Sequence, residues 1–404
     1  MSKSIALIAA SLAVAAVLAV QAAGANTHDR TKQASARILV GINDEADTLY
    51  GNPATAFAAL SALRTQVLRV NLYWGGKYGV ANKKPADPTD PGDPAYNWAL
   101  YDRLVAYAKT YKIKVMFSIL FTPAWANGGK PRTVAPTNPK DLQNFAYAAA
   151  ERYSGLWTPP TWQRNATLGI GNGPLPKVNM WTAWNEPNNP IWLTPQYKRV
   201  GGRWRIESAV QYAKICNAVY NGIHSTFLGP LPDEHVACGV TGPKGNDAPS
   251  TGRASVDPIS FLVAAHRYGM KRFDVYAHHP YADAGDEAPS FVPRGAHARR
   301  IQLGNISQLL RTITKFYGPK HLWITEYGYQ TNPPDRTIFG ISWAKQALYM
   351  KQAYALARRN PRIDMFLWFL IKDEPKMGGW QSGLETATGR KKPSWNAFRL
   401  LPRG

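Results

Sequence analysis

From about residue 37 to the C-terminus, short apolar runs alternate with longer amphipathic stretches. Runs of four to eight apolar, β-branched residues read as strands, and stretches of ten or more with helical spacing read as helices. The pattern predicts strands at Arg37–Asn43, Gln66–Leu72, Lys114–Phe121, Val178–Trp184, His235–Val240, Phe273–His278, His321–Thr325 and Arg362–Phe369. Helices are predicted from Asn52-Pro53 to about Leu63, then at Trp98–Tyr111, Pro139–Tyr153, Glu207–Ser225 and Pro258–Tyr268. Three more follow at Asn305–Phe316, Ile341–Arg359 and Ser394–Leu401. A capping Asn followed by Pro, as at Asn52-Pro53, is a helix start signal. Two long loops, one reaching Tyr96 and one over Gly155–Lys177, interrupt the alternation.

Eight strands alternating with eight helices imply parallel pairing. That number fits a closed (β/α)₈ TIM barrel in a single α/β domain over residues 36–404. The chain has 404 residues, within the span of such barrels, which run from ~250 to over ~400 residues with insertions. After the first strand stands Gly41-Ile42-Asn43-Asp44 rather than a glycine-rich phosphate fingerprint. That weakens a dinucleotide-binding reading.

Composition sharpens the picture at the N-terminus. Lys3, the apolar run Ile5 to Val20 and the small residues Ala23-Gly24-Ala25 read as a secretory signal peptide over residues 1–25. A short linker over 26–35 follows. The expectation is a secreted, extracellular or cell-wall protein with no stable membrane insertion after cleavage, and a monomer. In an oxidising compartment Cys216 and Cys238 could form a disulfide. Two buried free thiols are the alternative. The formal charge is +22, and loss of residues 1–25 removes only Lys3. Such a surface attracts polyanions, though a solvated basic exterior needs no partner. The 14 Trp and 20 Tyr suit either a large core or a surface that stacks on sugar rings.

The candidate chemistry lies at strand ends, where barrels of this kind carry their sites. The fourth strand ends in Trp184-Asn185-Glu186-Pro187 and the seventh in Thr325-Glu326-Tyr327-Gly328. Two carboxylates facing one barrel mouth from distant strands are what glycosidic bond hydrolysis needs. One protonates the leaving oxygen, and the other attacks or activates water. No metal or organic cofactor is implied by the spacing of Cys, His or acidic residues.

The Asn185-Glu186-Pro187 tripeptide at strand four, with Glu326 at strand seven, resembles glycoside hydrolase clan A, near its family-39-like or family-5-like branches. The resemblance covers the whole mature chain. It implies a retaining double displacement on a polysaccharide or oligosaccharide, with Glu186 as acid/base and Glu326 as nucleophile. It implies further that Asn185 bonds the sugar 2-hydroxyl and that Arg69 lies near the nucleophile. His279-Pro280-Tyr281 resembles the clan's His-x-Tyr pattern, with His278 leaving the register open by one residue. Trp368 resembles the aromatic floor under the cleaved sugar, and Trp125 is a further candidate, ahead of Trp74 and Tyr73. The segment from Ser382-Gly383-Leu384 to Lys392-Pro393 resembles the closing loop before the last helix. A transglycosylase, or a non-catalytic carbohydrate-binding barrel, is the alternative. Nucleic-acid binding explains neither Glu and is not expected. One departure stands out: Lys198, Arg199, Arg203 and Arg205 follow strand four with no acidic residue between Pro187 and Arg205. Such a loop suits an anionic glycan, or is merely a basic loop on a basic protein.

Overall fold

Short apolar segments buried on both faces form the barrel strands. In the computed structural model, which describes residues 38–163, 173–227, 233–334, 336, 339–376 and 378–403, β1 is Leu39–Asn43, β2 Val67–Tyr73, β3 Lys114–Leu120 and β4 Met180–Ala183. A small pair, β5 (Tyr197–Val200) and β6 (Arg203–Ile206), follows. Then come β7 (His235–Thr241), β8 (Val275–His278), β9 (Leu322–Tyr327) and β10 (Ile363–Phe369). Eight of these close into a parallel barrel in the order β1-β10-β9-β8-β7-β4-β3-β2. The expected single (β/α)₈ barrel is what forms. The expected signal peptide and linker lie outside the described residues.

Helices follow the strands as expected, and the starts have local causes. Asn52, Asn138, Asp257 and Ser342 each accept backbone N–H groups of the first turn. Such caps satisfy donors that the helix leaves unpaired. Pro53, Pro139, Pro258 and Pro393 take the first helical position, where a missing N–H costs nothing. Among the described residues no helix is long and apolar enough to cross a membrane.

The strand period of two divides the core. Val67, Met116, Met180, Val275, Ala277, Trp323, Met365 and Leu367 fill the barrel interior. Their neighbours face outward to the helices, with Leu68, Phe117, Trp181, Phe366 and Trp368 in the second, larger core. Above the apolar layer, Ser118, Thr182, Arg69 and Thr325 are buried polar groups and form the platform of the barrel mouth. Thr182 Oγ1 donates to Ser118 Oγ at 2.5 Å, and Ser118 accepts from Arg69 Nε at 2.9 Å.

Two open points are settled here. Cys216, on the helix after β6, and Cys238, on β7, form a disulfide with Cα atoms 5.9 Å apart. The basic segment after β4 is an antiparallel hairpin, β5–β6, rather than an irregular loop.

Candidate active site

Five of the eight non-glycine residues with positive φ among the described residues cluster at strand C-termini: Phe121, Trp184, Glu186, Val240 and Leu370. Such conformations cost free energy and persist only where the surroundings enforce them. Around β4 the enforcement is visible. Trp184 (φ 69°) donates its backbone N–H to Ile119 and its indole to the Trp192 carbonyl at 2.8 Å. Glu186 (φ 35°) donates its backbone N–H to the Val240 carbonyl. The chain therefore turns out of the barrel wall and brings the Glu186 side chain over its mouth. Gly242 completes this: a Cβ there would lie 3.1 Å from the Glu186 carboxyl carbon.

Glu326 reaches the same place by another device. Between Ile324 and Tyr327, β9 carries a bulge against β10, an irregularity that re-aims a side chain. Thr325 and Glu326 both serve the barrel mouth as a result. Oxygen atoms of Glu186 and Glu326 and a ring nitrogen of His279 all lie within 4.8 Å of one another.

The two carboxylates have different neighbours. Arg69 Nη1 meets Glu326 Oε1 at 2.5 Å, and the Tyr281 hydroxyl donates to Oε2 at 3.1 Å. Arg69 Nη2 donates to Asn185 Oδ1 at 2.7 Å, so one guanidinium ties β2, β4 and β9 together. Burial pushes the Glu326 carboxyl up. The His279 ring, the Arg69 guanidinium and the Tyr281 hydroxyl outweigh it and hold the group below the usual carboxylate range. Glu186 contacts His279 Nδ1 at 3.0 Å and accepts from Asn189 Nδ2 at 3.2 Å.

The His register is resolved by strand alternation. His279 continues the inward face of Val275 and Ala277, and its Nε2 meets Thr325 Oγ1 at 3.0 Å. His278 points away, between Thr241 Oγ1 and the Ile301 carbonyl. Burial drops its ring to about 3.

A cavity of about 650 Å³ opens above the pair. Asn185, Glu186, Tyr281 and Glu326 line it, and Arg69 and His279 stand directly behind the carboxylates. Two expected aromatic residues are elsewhere. Trp368 is fully buried on the outward face of β10, with its indole donating to the Ser382 carbonyl. The alternation that sends Met365 and Leu367 inward sends Phe369 to the cavity and Trp368 away from it. Trp125 is half-buried, packs edge-on against Trp74 and donates to the Ala81 carbonyl, outside the cavity wall. The aromatic wall comes instead from Phe369, Trp380, Tyr281 and Tyr73. Trp380 rides on the segment that the buried Lys392–Asp373 ion pair, at 2.6 Å, pins beneath it.

Sequence reasoning missed Asn43, Glu45, Asn71, Asn189, Lys244 and Glu374, which also line the cavity. Alternation could have found one: Asn71 shares the inward face of Arg69 on β2. Glu45 accepts from the Asn71 N–H at 2.7 Å and the Tyr73 hydroxyl at 2.8 Å, yet burial leaves its carboxyl raised. Nothing in the sequence marked it.

Glu186, His279 and Glu326 are the group that could hold a metal ion among the described residues. The guanidinium of Arg69 already supplies positive charge to Glu326, so a dication there would lie against a cation.

No family model and no curated protein matches this chain. Solved structures do. A family 39 glycoside hydrolase from Bacteroides cellulosilyticus superposes with a TM-score of 0.56 at 18% identity, over 91% of this chain and 64% of that one. A glucosidase from Croceicoccus marinus gives 0.61 at 14%, over 90% and 66%. Fungal β-1,4-galactanases give 0.56 at 14%, over 91% and 100%. The fold is one shared with glycoside hydrolases. This chain spans about two thirds of the length of the first two structures. On that glycoside hydrolase fold, Glu186 and Glu326 occupy the ends of the fourth and seventh barrel strands.

Proposed function

We propose that this protein is a secreted retaining glycoside hydrolase acting on an extracellular or cell-wall polysaccharide. The observation that carries the reading is the carboxylate pair. Oxygens of Glu186 and Glu326 approach within 4.8 Å over one open cavity. Retention calls for ~5–5.5 Å between carboxyl groups, and inversion for ~6.5–9.5 Å to admit water.

The neighbours support a division of roles. His279, Arg69 and Tyr281 keep Glu326 ionised, as a nucleophile must be. Glu186, which meets the Asn189 amide and the His279 ring rather than Arg69, is the acid/base of this reading. In the first step the Glu326 carboxylate attacks the anomeric carbon. The glycosidic C–O bond breaks, and Glu186 gives its proton to the departing oxygen. In the second, Glu186 takes a proton from water, whose oxygen displaces the ester and frees Glu326. Asn185, held by Arg69, presents its amide to the sugar, and Phe369 offers a ring for it to rest against. The basic charge and the Lys244 side of the cavity leave room for an acidic polymer.

The test is reducing-end release from a panel of neutral and acidic polysaccharides. Wild type is expected to release ends, and Glu326→Ala is not. Equal release by both would remove Glu326 as nucleophile. A transglycosylase would instead give longer products without net release.

A further inference from the structure

The hairpin β5–β6 stands outside the barrel sheet, and its composition is peculiar. Its register places Lys198 directly opposite Arg205, Val200 opposite Arg203 and Arg199 opposite Trp204. Like charges facing each other across a strand pair are destabilising, and a two-stranded hairpin is marginal to begin with. Glu207 relieves part of this by meeting Arg205 at 2.5 Å. Among the described residues it is the one acidic partner of the four cations. Lys198, Arg199 and Arg203 are exposed. Arg199 lies over the Trp204 ring at 5.1 Å from its centroid, and Trp204 itself remains 44% exposed. A positive turn of Gly201-Gly202 ends the projection. The base is fixed by the Tyr197 hydroxyl on Asp247 Oδ1 at 3.3 Å.

Its position is as telling as its charge. The segment leading into it, Asn189 to Trp192, lines the cavity beside Glu186. On the adjacent strand end, Lys244 lines the same side, sharing Asp283 with Arg300. The acidic lining residues Glu45 and Glu374 follow β1 and β10 instead. A general acid stands beside the leaving group, so the chain segment departing from Glu186 runs toward the basic side. This direction rests on the hydrolase reading.

We propose that the hairpin Tyr197–Ile206 is a docking surface for an anionic polysaccharide, holding the leaving-group side of the polymer as it emerges from the cavity. Exposed cations read its acidic groups, and the Trp204 face, stiffened by Arg199, stacks on a sugar ring. Both features are needed because charge alone does not discriminate among polyanions.

The test is affinity electrophoresis of the full chain carrying Glu326→Gln, which binds without consuming the polymer. Gels contain polygalacturonate, heparin or neutral xylan, and a DNA duplex is run as a competitor. K198Q/R199Q/R203Q is compared with K109Q/K112Q/K114Q, exposed lysines at the far end of the barrel with equal charge loss. In moderate salt the hairpin triple is expected to lose roughly tenfold in Kd for polygalacturonate, and the control triple less than twofold. Trp204→Ala is expected to weaken binding without changing its salt dependence. Retention by heparin alone supports the surface and assigns it to sulfates rather than carboxylates. Equal loss in both triples overturns the proposal, as does hairpin-dependent DNA binding as tight as that of polygalacturonate. Hairpin-dependent retention by a wild-type chain that releases no reducing ends from any glycan sinks the hydrolase reading and leaves the surface standing. Reducing-end release without hairpin-dependent retention does the reverse.

Discussion

Two carboxylates of one chemical type face each other over the barrel mouth, and their surroundings differ in kind. Glu326 is clamped by a guanidinium at 2.5 Å and a phenol at 3.1 Å, and the His279 ring lies between the two carboxylates. Glu186 is met by an amide at 3.2 Å and an imidazole at 3.0 Å. A guanidinium stays charged throughout the working pH range. Glu326 is thus held as an anion with the help of a permanent charge that Glu186 does not touch. The division of labour proposed above is a property of these neighbours. Exchanging neighbours, not carboxylates, would exchange the roles.

The sharpest way to break the comparison is to remove each carboxylate and vary the leaving group. Glu326→Ala is expected to lose about 10⁴-fold or more in kcat for every substrate, because no covalent step remains. Glu186→Ala should lose comparably only where the leaving oxygen needs a proton. With an activated aryl glycoside such as a 2,4-dinitrophenyl glycoside, its first step should be largely spared. If both variants respond alike to the leaving group, the assignment of roles is wrong.

Much of this contrast was legible in the sequence. The βα alternation gave the barrel, and Asn185-Glu186-Pro187 and Thr325-Glu326-Tyr327 gave the pair. Arg69, His279 and Tyr281 came with the resemblance to clan A, which left the register between His278 and His279 open. What failed was the facing of single residues. Trp368 looked like the floor, but counting by two from Met365 puts Phe369 there. Glu326 itself escapes simple alternation, because a bulge in β9 lets Thr325 and its neighbour both serve the mouth. Bulges and positive-φ corners arise from long-range packing, so a local pattern does not carry them. Glu45 and Glu374 follow strand ends without any motif, and only the closed barrel shows that they share a cavity with Glu186. The hairpin was legible as charge but not as structure.

Arg69 is the next lever, and its removal unpairs Glu326 and Asn185 while leaving the hydrogen bonds of Glu186 in place. Reaction needs Glu326 ionised, so activity falls as pH drops through its pKa. That pKa is held low by His279, Arg69 and Tyr281 against the opposing effect of burial. In Arg69→Met burial gains weight, the pKa rises, and the acidic limb of kcat/KM moves to higher pH. A loss of roughly 10²–10³-fold in kcat/KM at neutral pH is expected, the size of losing one preorganised charge at a reacting centre. Arg69→Lys should restore part of the limb position but not the bond to Asn185, since an ammonium lacks the planar fork. A general loosening of the fold would lower activity at every pH and leave the limb where it was.

The smallest expected effect comes from Tyr281→Phe, and it separates charge from packing. The ring stacks on Tyr327 and packs edge-on or tilted against Phe369 and Trp380, and Phe preserves those contacts. Only the hydroxyl donated to Glu326 Oε2 is lost. A hydrogen bond to a charged group contributes about 1.5–3 kcal/mol, which bounds the loss in kcat/KM at roughly 10–100-fold. The acidic limb should shift upward by less than in Arg69→Met, and thermal stability should stay near wild type. The basic limb, set by whichever group supplies the proton from the Glu186 side, should not move. A shift of the basic limb instead would mean that Tyr281 acts on the acid/base, and the two carboxylates would no longer be separable by their neighbours.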